Sequence, residues 1–439
     1  MFKRLFIILL AIFLPSVAAY TQITERTRPA EWKNLVVGAR FMDRFLPMEG
    51  VDLRSDVWGT DSVRPRLVDN GIEDDQWSFW GGNIVRDDNN LWHQFVAAWP
   101  EGAKKGHMEW SNSWVIHAVG PTMHGPFRPR EVVGRGHNPE IYRTANGTWV
   151  LYVIDGRYTA PSLDGPWEYG KFEFDPQGKP IIEGLSNLSF APRGDGSWLM
   201  VCRGGGIWIS ENGLSTWKQM SDGSIYPKVE GRFEDPVLWR DSVQYHLIVN
   251  DWLGRIAYYL RSGDGLHWTV DDGEAYMPGI ARHKDGTQEH WFKYERMRIV
   301  QDKEGRAVQA NFAVIDTIKW EDKPFDYHSS KNICIPLDPG LLLTIEKSNK
   351  KKSVTLRIRA EEGFLPQRDL DLSTLRFGSP HIVDYGGGAK PISSRNDGDD
   401  LILTFRLKDA AFKPDDFAAK VLVCRRDIER TTFGFVRLP

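Results

Sequence analysis

The chain contains the run His137-Asn138-Pro139-Glu140-Ile141-Tyr142, a turn at Asn146-Gly147, and the run Thr148-Trp149-Val150-Leu151-Tyr152. Both runs are short, and the second is rich in the aromatic and β-branched residues that favour strands. Asn-Gly between two such runs is typical of a tight β-hairpin. This segment therefore predicts two antiparallel strands, the first of which opens on polar side chains.

The same pattern recurs along the chain at a period of about 40 to 50 residues, which is typical of β-propeller blades. The other copies begin at Gly82, Ser186, Glu234 and Tyr294. Long helical periodicity is almost absent, so the repeated hairpins predict an all-β, closed architecture. We expect a five-bladed β-propeller over residues 77–320, followed by a small C-terminal β-sandwich over residues 321–439, where the blade pattern stops.

The N-terminus has the features of a secretory signal peptide, predicted over residues 1–19. Lys3 and Arg4 precede an apolar run, and small residues follow it at 17–19. The run is shorter than the roughly 20 apolar residues that a membrane-spanning helix needs, although a retained anchor is the alternative. We therefore expect a periplasmic or extracellular protein whose residues 20–76 form an extension packing on the propeller.

Composition excludes several classes of function. The net charge is -3, with basic and acidic residues interleaved, so no basic stripe for nucleic acid is present. The cysteines, Cys202, Cys334 and Cys424, have no metal-type spacing and cannot form a disulfide framework, although one bridge between Cys334 and Cys424 remains open. The 18 tryptophans exceed ordinary usage, and aromatic faces both fill cores and stack on sugar rings.

The innermost strands of a propeller begin around a central channel, so the residues that open them face one another. Aligning the repeats predicts a ring of amides and carboxylates formed by Asn83, Asn138, Asn187, Asp235 and Glu295. Buried carboxylates are rare unless they are paired or functional. Two carboxylates can cleave a glycosidic bond, one protonating the leaving oxygen and the other acting as base or nucleophile. The alternative is that the ring residues cap strand ends or hold a channel ion.

The segments 80–84, 136–143, 233–239 and 293–296, together with Gly-Pro-aromatic hairpins such as Gly125-Pro126-Phe127, carry a resemblance to a known group. In them the chain resembles the five-bladed propeller glycoside hydrolases of family 43 and its relative family 117, which includes exo-acting enzymes on algal galactans. The resemblance implies an inverting exo-glycosidase with carboxylates at the blade openings. On this view Asp235 and Glu295 lie in the reaction centre.

The chain departs from the family 43 pattern in the first blade, where Gly81-Gly82-Asn83 stands in place of the family's catalytic Asp. Asp75, or its neighbour Asp74, is the candidate replacement base, and either His290 or His137 is a candidate proton donor or metal ligand. Glu183 resembles the family's general acid. Further residues at the blade openings are expected to bind substrate: Trp80, Asn83, His137, Asn138, Glu140, Asn187 and Arg296.

The sequence thus predicts an exo-acting glycoside hydrolase that removes a terminal sugar from a poly- or oligosaccharide, with an algal galactan as one candidate substrate. Two alternatives stay open. One is a non-catalytic glycan-binding propeller, favoured by the missing first-blade Asp, and the other is a polysaccharide lyase. No cofactor is expected to be required; a structural ion in the channel would be calcium if its ligands are oxygens, or zinc if they include histidines.

Overall fold

The computed structural model describes residues 23–49, 69–214, 216–289, 291–325, 330–349 and 352–438. The predicted signal peptide and His290 lie outside these residues. Within the described ranges, no helix has both the length and the apolar character needed to cross a bilayer.

Consecutive antiparallel strands form five small sheets, which we call blades one to five. Blade one contains β1 (Trp77–Arg86), β2 (Trp92–Pro100), β3 (Trp114–Gly120) and β4 (Arg128–Arg135). Blade two contains β5 (Glu140–Arg143), β6 (Trp149–Val153), β7 (Gly156–Ala160) and β8 (Glu168–Gly170). Blade three contains β10 (Ser189–Pro192), β11 (Trp198–Val201), β12 (Ile207–Ser210) and β13 (Trp217–Gln219), with β9 (Phe174–Asp175) parallel to β13.

Blade four contains β14 (Phe233–Arg240), β15 (Tyr245–Asp251), β16 (Ile256–Ser262) and β17 (Thr269–Tyr276). Blade five contains β18 (Lys293–Gln301), β19 (Ala307–Ile315) and β20 (Lys331–Pro336). Its sheet therefore continues past residue 320, where the sequence pattern placed the end of the propeller. The sequence between β19 and β20 contains no Gly-Asn or Asn-Gly turn, so the hairpin pattern did not predict β20 as the last strand of the propeller.

The first strands of the blades form a ring, and polar side chains join each blade to the next. The joining pairs are Asn83 with the backbone of Ile141, Glu140 with the amide of Phe190, Ser189 with the amide of Leu238, Arg298 with the carbonyl of Pro236, and Asn332 with the carbonyl of Gly81. The last pair links blade five to blade one. The prediction of an all-β, five-bladed propeller is confirmed.

The N-terminal extension packs against the end of blade five. Ile72 makes an antiparallel bridge to Asn332, and the Asn70 side chain bonds both backbone groups of Cys334 at 2.8 Å. Phe41 and Phe45, in and after the 3₁₀ turn Phe41–Arg44, are buried in the core between blades four and five. Residues from the start of the chain therefore help to complete the last blade.

The C-terminal part forms the predicted β-sandwich. One sheet contains β21 (Leu343–Asn349), β22 (Ser353–Ile358), β25 (Asp400–Arg406) and β24 (Pro391–Asp397), and the other contains β23 (Leu370–Gly378), β26 (Ala418–Arg425) and β27 (Arg430–Arg437). The short helices are Pro366–Asp369 and Pro380–Val383, and the further 3₁₀ turns are Ala30–Asn34, Gly106–Asn112 and Leu407–Asp409. An apolar cluster fills the space between the sheets.

The sequence left a bridge between Cys334 and Cys424 open, and the structure excludes it. Both thiols are free, and they lie on separate sheets, in β20 of the propeller and β26 of the sandwich.

Candidate active site

Each inner strand opens with the same backbone irregularity. In blades one, four and five, two residues bulge out of the ladder, between Trp80 and Asn83, Glu234 and Val237, and Glu295 and Arg298. The first bulged residue has positive φ in each case, as do the corresponding residues of blades two and three. These five equivalent positions are Gly81 (65°), Asn138 (56°), Asn187 (51°), Asp235 (55°) and Arg296 (51°).

This register differs from the predicted ring in two blades. Gly81, not Asn83, is the equivalent of Asp235, and Arg296 takes the position that the sequence alignment assigned to Glu295. The bulges shift the strand openings by one or two residues, and nothing in the hydrophobic pattern reveals them. The side chain of Asn83 instead holds the neighbouring blade through Ile141.

The ring residues form a continuous chain of hydrogen bonds. Asn138 donates to Asn187 at 2.9 Å, and Asn187 donates to Asp235 Oδ1 at 3.0 Å. Arg296 donates to Asp235 twice, from Nη1 at 2.6 Å and from its backbone amide at 3.2 Å. Glycine suits position 81, because its φ is positive and a Cβ there would lie only 3.3 Å from Arg296 Cβ. The Arg296 side chain therefore lies against the space that a first-blade side chain would need.

Above the ring lies a cavity of about 1010 Å³. Its wall includes aromatic, basic and acidic side chains, among them Trp80, Trp110, Trp252, Trp320, Arg135, Arg203, Lys319, Glu234, Asp235 and Glu295. Flat aromatic faces beside a few polar groups are typical of pockets that bind small polar ligands such as sugars.

Glu234 is the acidic group best placed to donate a proton. Burial, together with the adjacent negative charge of Asp235, raises the pKa of its carboxyl to about 7 against the opposing effect of Arg203. Arg203 Nη2 lies 2.5 Å from Glu234 Oε1. The group can therefore hold a proton near neutral pH while it faces the cavity.

Glu295 has the opposite character. Burial alone would raise the pKa of its carboxyl, but Lys319 and Lys293 overcome that effect and lower it to about 2. Lys293 Nζ lies 3.1 Å from Glu295 Oε1, and Lys319 bonds Oε2. Lys319 also lies over the ring of Trp80, which lines the same cavity. Glu295 thus ionises at a far lower pH than Glu234, which lines the same cavity.

His137 completes the polar wall as a neutral imidazole. Its Nδ1 lies 2.8 Å from the hydroxyl of Ser113, and its ring contacts Trp110. Burial, with smaller effects from Arg296 and Lys319, lowers the pKa of His137 well below its usual value. His107 behaves in the same way and packs against Trp80 and Trp99.

The cavity brings together seven of the predicted site residues: Trp80, His137, Asn138, Asn187, Asp235, Glu295 and Arg296. Asn83 and Glu140 line a second cavity of about 600 Å³ at the other end of the inner strands. Asp75 and Glu183 are exposed and line neither cavity. His290 lies outside the described residues, so its predicted role stays a prediction.

Glu234 was quoted in the sequence motif but not chosen as a site residue, because only Asp235 matched the ring position. Its position next to Asp235 could have identified it, because a residue beside a bulge can face the same cavity as the bulged residue itself.

The ring shows little that would attract a channel cation. The guanidinium of Arg296 donates a hydrogen bond to Asp235 Oδ1, and the side-chain amide of Asn187 donates to the same oxygen. These residues fit an internal ion pair better than a calcium or zinc site.

No protein-family profile and no curated protein sequence matches the chain. Solved structures do. An α-L-arabinofuranosidase from Lactobacillus brevis is 11% identical over 61% of this chain and 92% of its own, with a TM-score of 0.41. A family 117 glycoside hydrolase from the marine bacterium Zobellia galactanivorans is 10% identical over 67% of this chain and 89% of its own, with a TM-score of 0.42. A thermostable family 43 glycoside hydrolase is 10% identical over 71% and 96%, with a TM-score of 0.38. The solved structures to which this chain is similar thus include propeller glycoside hydrolases of families 43 and 117.

Proposed function

We propose that this protein is a secreted, exo-acting glycoside hydrolase that releases a terminal sugar from a poly- or oligosaccharide. The observation that carries the proposal is the pair of carboxyl groups in one cavity with opposite ionisation. The pKa of Glu234 is raised to about 7 and that of Glu295 is lowered to about 2. Glycosidic cleavage requires such a division between a proton donor and an ionised carboxylate.

In this proposal Glu234 protonates the glycosidic oxygen as the bond to the anomeric carbon breaks. The ionised carboxylate of Glu295 balances the positive charge that develops on the sugar ring, and it accepts the proton that the attacking water releases as its oxygen bonds the anomeric carbon. Solvent then returns a proton to Glu234. Asp235 acts as a positioning residue that keeps the pKa of Glu234 high through its own negative charge. Arg296 is a second positioning residue, because it holds the Asp235 carboxylate through Nη1 and its backbone amide.

Inversion of the anomeric centre and action at a chain end are part of the same proposal. They are supported by the family 43 and 117 motifs and by the position of the cavity at one mouth of the channel, where a chain terminus can enter. Export is supported by the signal-like sequence at residues 1–19. An algal galactan is the first substrate to test.

A non-catalytic glycan-binding protein is the second candidate, and one observation favours it. Asp235 is paired with Arg296, Glu295 is held by two lysines, and Gly81 stands where the resemblance would require a catalytic Asp. Such a site retains the shape and the aromatic faces that bind a sugar, while the negative charges of its carboxylates are balanced by the arginine and the lysines.

The experiment is a screen of the mature protein against algal and plant oligosaccharides, with products identified by mass and by the anomeric signals in early NMR spectra. We expect loss of one terminal sugar with addition of water and inverted configuration. Glu234→Gln should lower turnover of these oligosaccharides by about 10²–10⁴-fold and Glu295→Gln should abolish it, whereas Glu168→Gln, on the exposed strand β8, should leave it unchanged. Binding without any product would establish the second candidate, and an unsaturated product would indicate a lyase instead.

A further inference from the structure

Blade one contains a buried histidine pair that takes no part in the cavity. His93 on β2 and His117 on β3 are 1% and 0% exposed, and His93 Nδ1 lies 2.8 Å from His117 Nε2. Asp164, in the turn between β7 and β8 of blade two, lies beside them. One ligand atom from each of the three residues falls within 4.8 Å of the others. His93 pairs with Val85 near the far end of β1, so the cluster lies away from the candidate active site.

Each histidine has a carboxylate at its outer nitrogen. His117 Nδ1 lies 2.9 Å from Glu131, and His93 Nε2 lies 3.4 Å from Asp87 Oδ2. An ionised carboxylate only accepts hydrogen bonds, so it favours the tautomer with N–H on the nitrogen that faces it. His117 Nε2 is then unprotonated and faces His93 Nδ1 at 2.8 Å, while His93 Nε2 contacts Asp87 without a hydrogen bond within the described residues. With the same tautomer at His93, the two inner lone pairs conflict unless a cation lies between them.

Blade four has the same arrangement without the conflict. His246 Nε2 lies 2.9 Å from Asp241, and His246 Nδ1 lies 2.6 Å from the hydroxyl of Tyr259. The registers correspond, because His93 pairs with Val119, two residues after His117, and His246 pairs with Arg261, two residues after Tyr259. The Tyr259 hydroxyl can donate its proton to the inner nitrogen of His246. His117 has no such proton for His93, because its N–H is directed to Glu131.

We propose that His93 Nδ1, His117 Nε2 and Asp164 bind a divalent zinc-type ion that joins blades one and two. Two imidazoles and a carboxylate are ligands that zinc accepts, with water in a fourth position. Asp87 and Glu131 would act as the outer partners that orient metal-bound histidines. At ordinary Zn–N distances of about 2.0–2.1 Å the two nitrogens must separate to roughly 3.3 Å, a shift of about half an ångström.

A surface ion pair and a proton both compete with the ion for its ligands. Asp164 is half exposed, and Arg130 pairs with its Oδ1 at 3.0 Å, so the ion either uses the other oxygen or replaces this surface pair. The competing occupant is one additional proton, shared between His93 Nδ1 and His117 Nε2.

The test uses the full mature chain, stripped with a chelator and titrated with zinc chloride by calorimetry, with melting temperature as a second readout. We expect one zinc ion per chain and a rise in melting temperature on zinc addition. His117→Tyr recreates the blade-four arrangement, so it should fold without zinc but lose zinc affinity by at least 100-fold. Asp164→Asn, a surface change, should weaken zinc binding by at least 10-fold.

Failure of the wild-type chain to bind zinc would overturn the proposal, and so would equal binding by wild type and both variants. If the melting temperature is the same with and without zinc but rises as the pH is lowered towards 5, the group between the two histidines is a shared proton. Hydrolytic activity is measured alongside and should be unchanged in His117→Tyr.

Discussion

Two adjacent acidic residues acquire different properties because a bulge separates their environments. Asp235 is enclosed by Asn187 and Arg296, while Glu234 faces the cavity with Arg203 beside it. A third carboxylate, Glu295, is held ionised by two lysines. At the scale of single residues, the ionisation of the site is therefore set by which cations each carboxylate contacts.

We expect the alkaline limb of the pH profile to report Glu234. A general acid must be protonated, so kcat should be level below pH 7 and fall about tenfold per pH unit above the pKa of about 7. Glu234→Gln should lower kcat on natural glycosides by about 10²–10⁴-fold. Aryl glycosides of the same sugar, whose leaving groups need no proton, should retain most of their rate. Equal losses on both substrates would remove Glu234 from the acid role.

Lys319→Met should move both limbs of that profile to higher pH. Lys319 lowers the pKa of Glu295, which is about 2, and it also lowers the pKa of Glu234. Without this cation both carboxyl groups keep their protons to higher pH, so the acid limb rises and the alkaline limb moves in the same direction. The exposed Lys171→Met is the control. A profile that does not move would show that Lys319 is separated from both groups by solvent.

Among the structural elements, the inner strands depend on buried polar contacts as well as on backbone ladders. Glu140, at the start of β5, accepts hydrogen bonds from Phe190 and Ser189 of β10 and pairs with Arg298 of β18 at 2.8 Å. One side chain therefore ties blade two to blades three and five. Glu140 was predicted to bind substrate, but its contacts are those of a residue that holds the ring of strands together.

Glu140→Ala should destabilise the fold by about 3–5 kcal/mol, because it leaves the buried charge of Arg298 without its partner. Chemical denaturation measures the loss in free energy of unfolding. Glu168→Ala, an exposed change on β8 of the same blade, should alter that free energy by less than about 0.5 kcal/mol. A loss for Glu140→Ala as small as the control would mean that solvent replaces the ion pair.

At the scale of the whole molecule, the N-terminal extension and the sandwich are both attached to the propeller. Phe41 packs against Trp239 and Tyr259 of blade four. In the sandwich, Lys420 donates to the carbonyl of Ala39 at 2.7 Å and bonds Asp384. The extension therefore lies between the propeller and the sandwich and contacts both.

Phe41→Ala should cost about 3–5 kcal/mol of unfolding free energy, because it opens a cavity in the core between blades four and five. Val37→Ala is the matched control, since Val37 lies in the same segment and is 84% exposed. A thermal melt with a single transition, shifted down for Phe41→Ala only, would support a cooperative role. A change confined to a separate low-temperature transition would show that the extension unfolds independently.

The sequence by itself determined the class of fold, because period-two strands and hairpin turns are local properties. The five copies of the hairpin pattern predicted five blades, and the end of the pattern marked the sandwich. It also located most of the cavity, since residues that open inner strands must meet at the channel.

Only the tertiary structure decided which side chains face that channel and with what charge. The bulges exchange Asn83 for Gly81 and bring Arg296 to the ring, and a bulge leaves no trace in a hydrophobic pattern. The pKa of Glu234 depends on Arg203 and Lys319, which are distant from it in sequence. The pKa of Glu295 depends on Lys319, which is also distant, and on Lys293, two residues before it on β18. The same holds for His93, His117 and Asp164, which come from two blades. Charge and coordination arise from distances in space, and those distances are set by packing between blades.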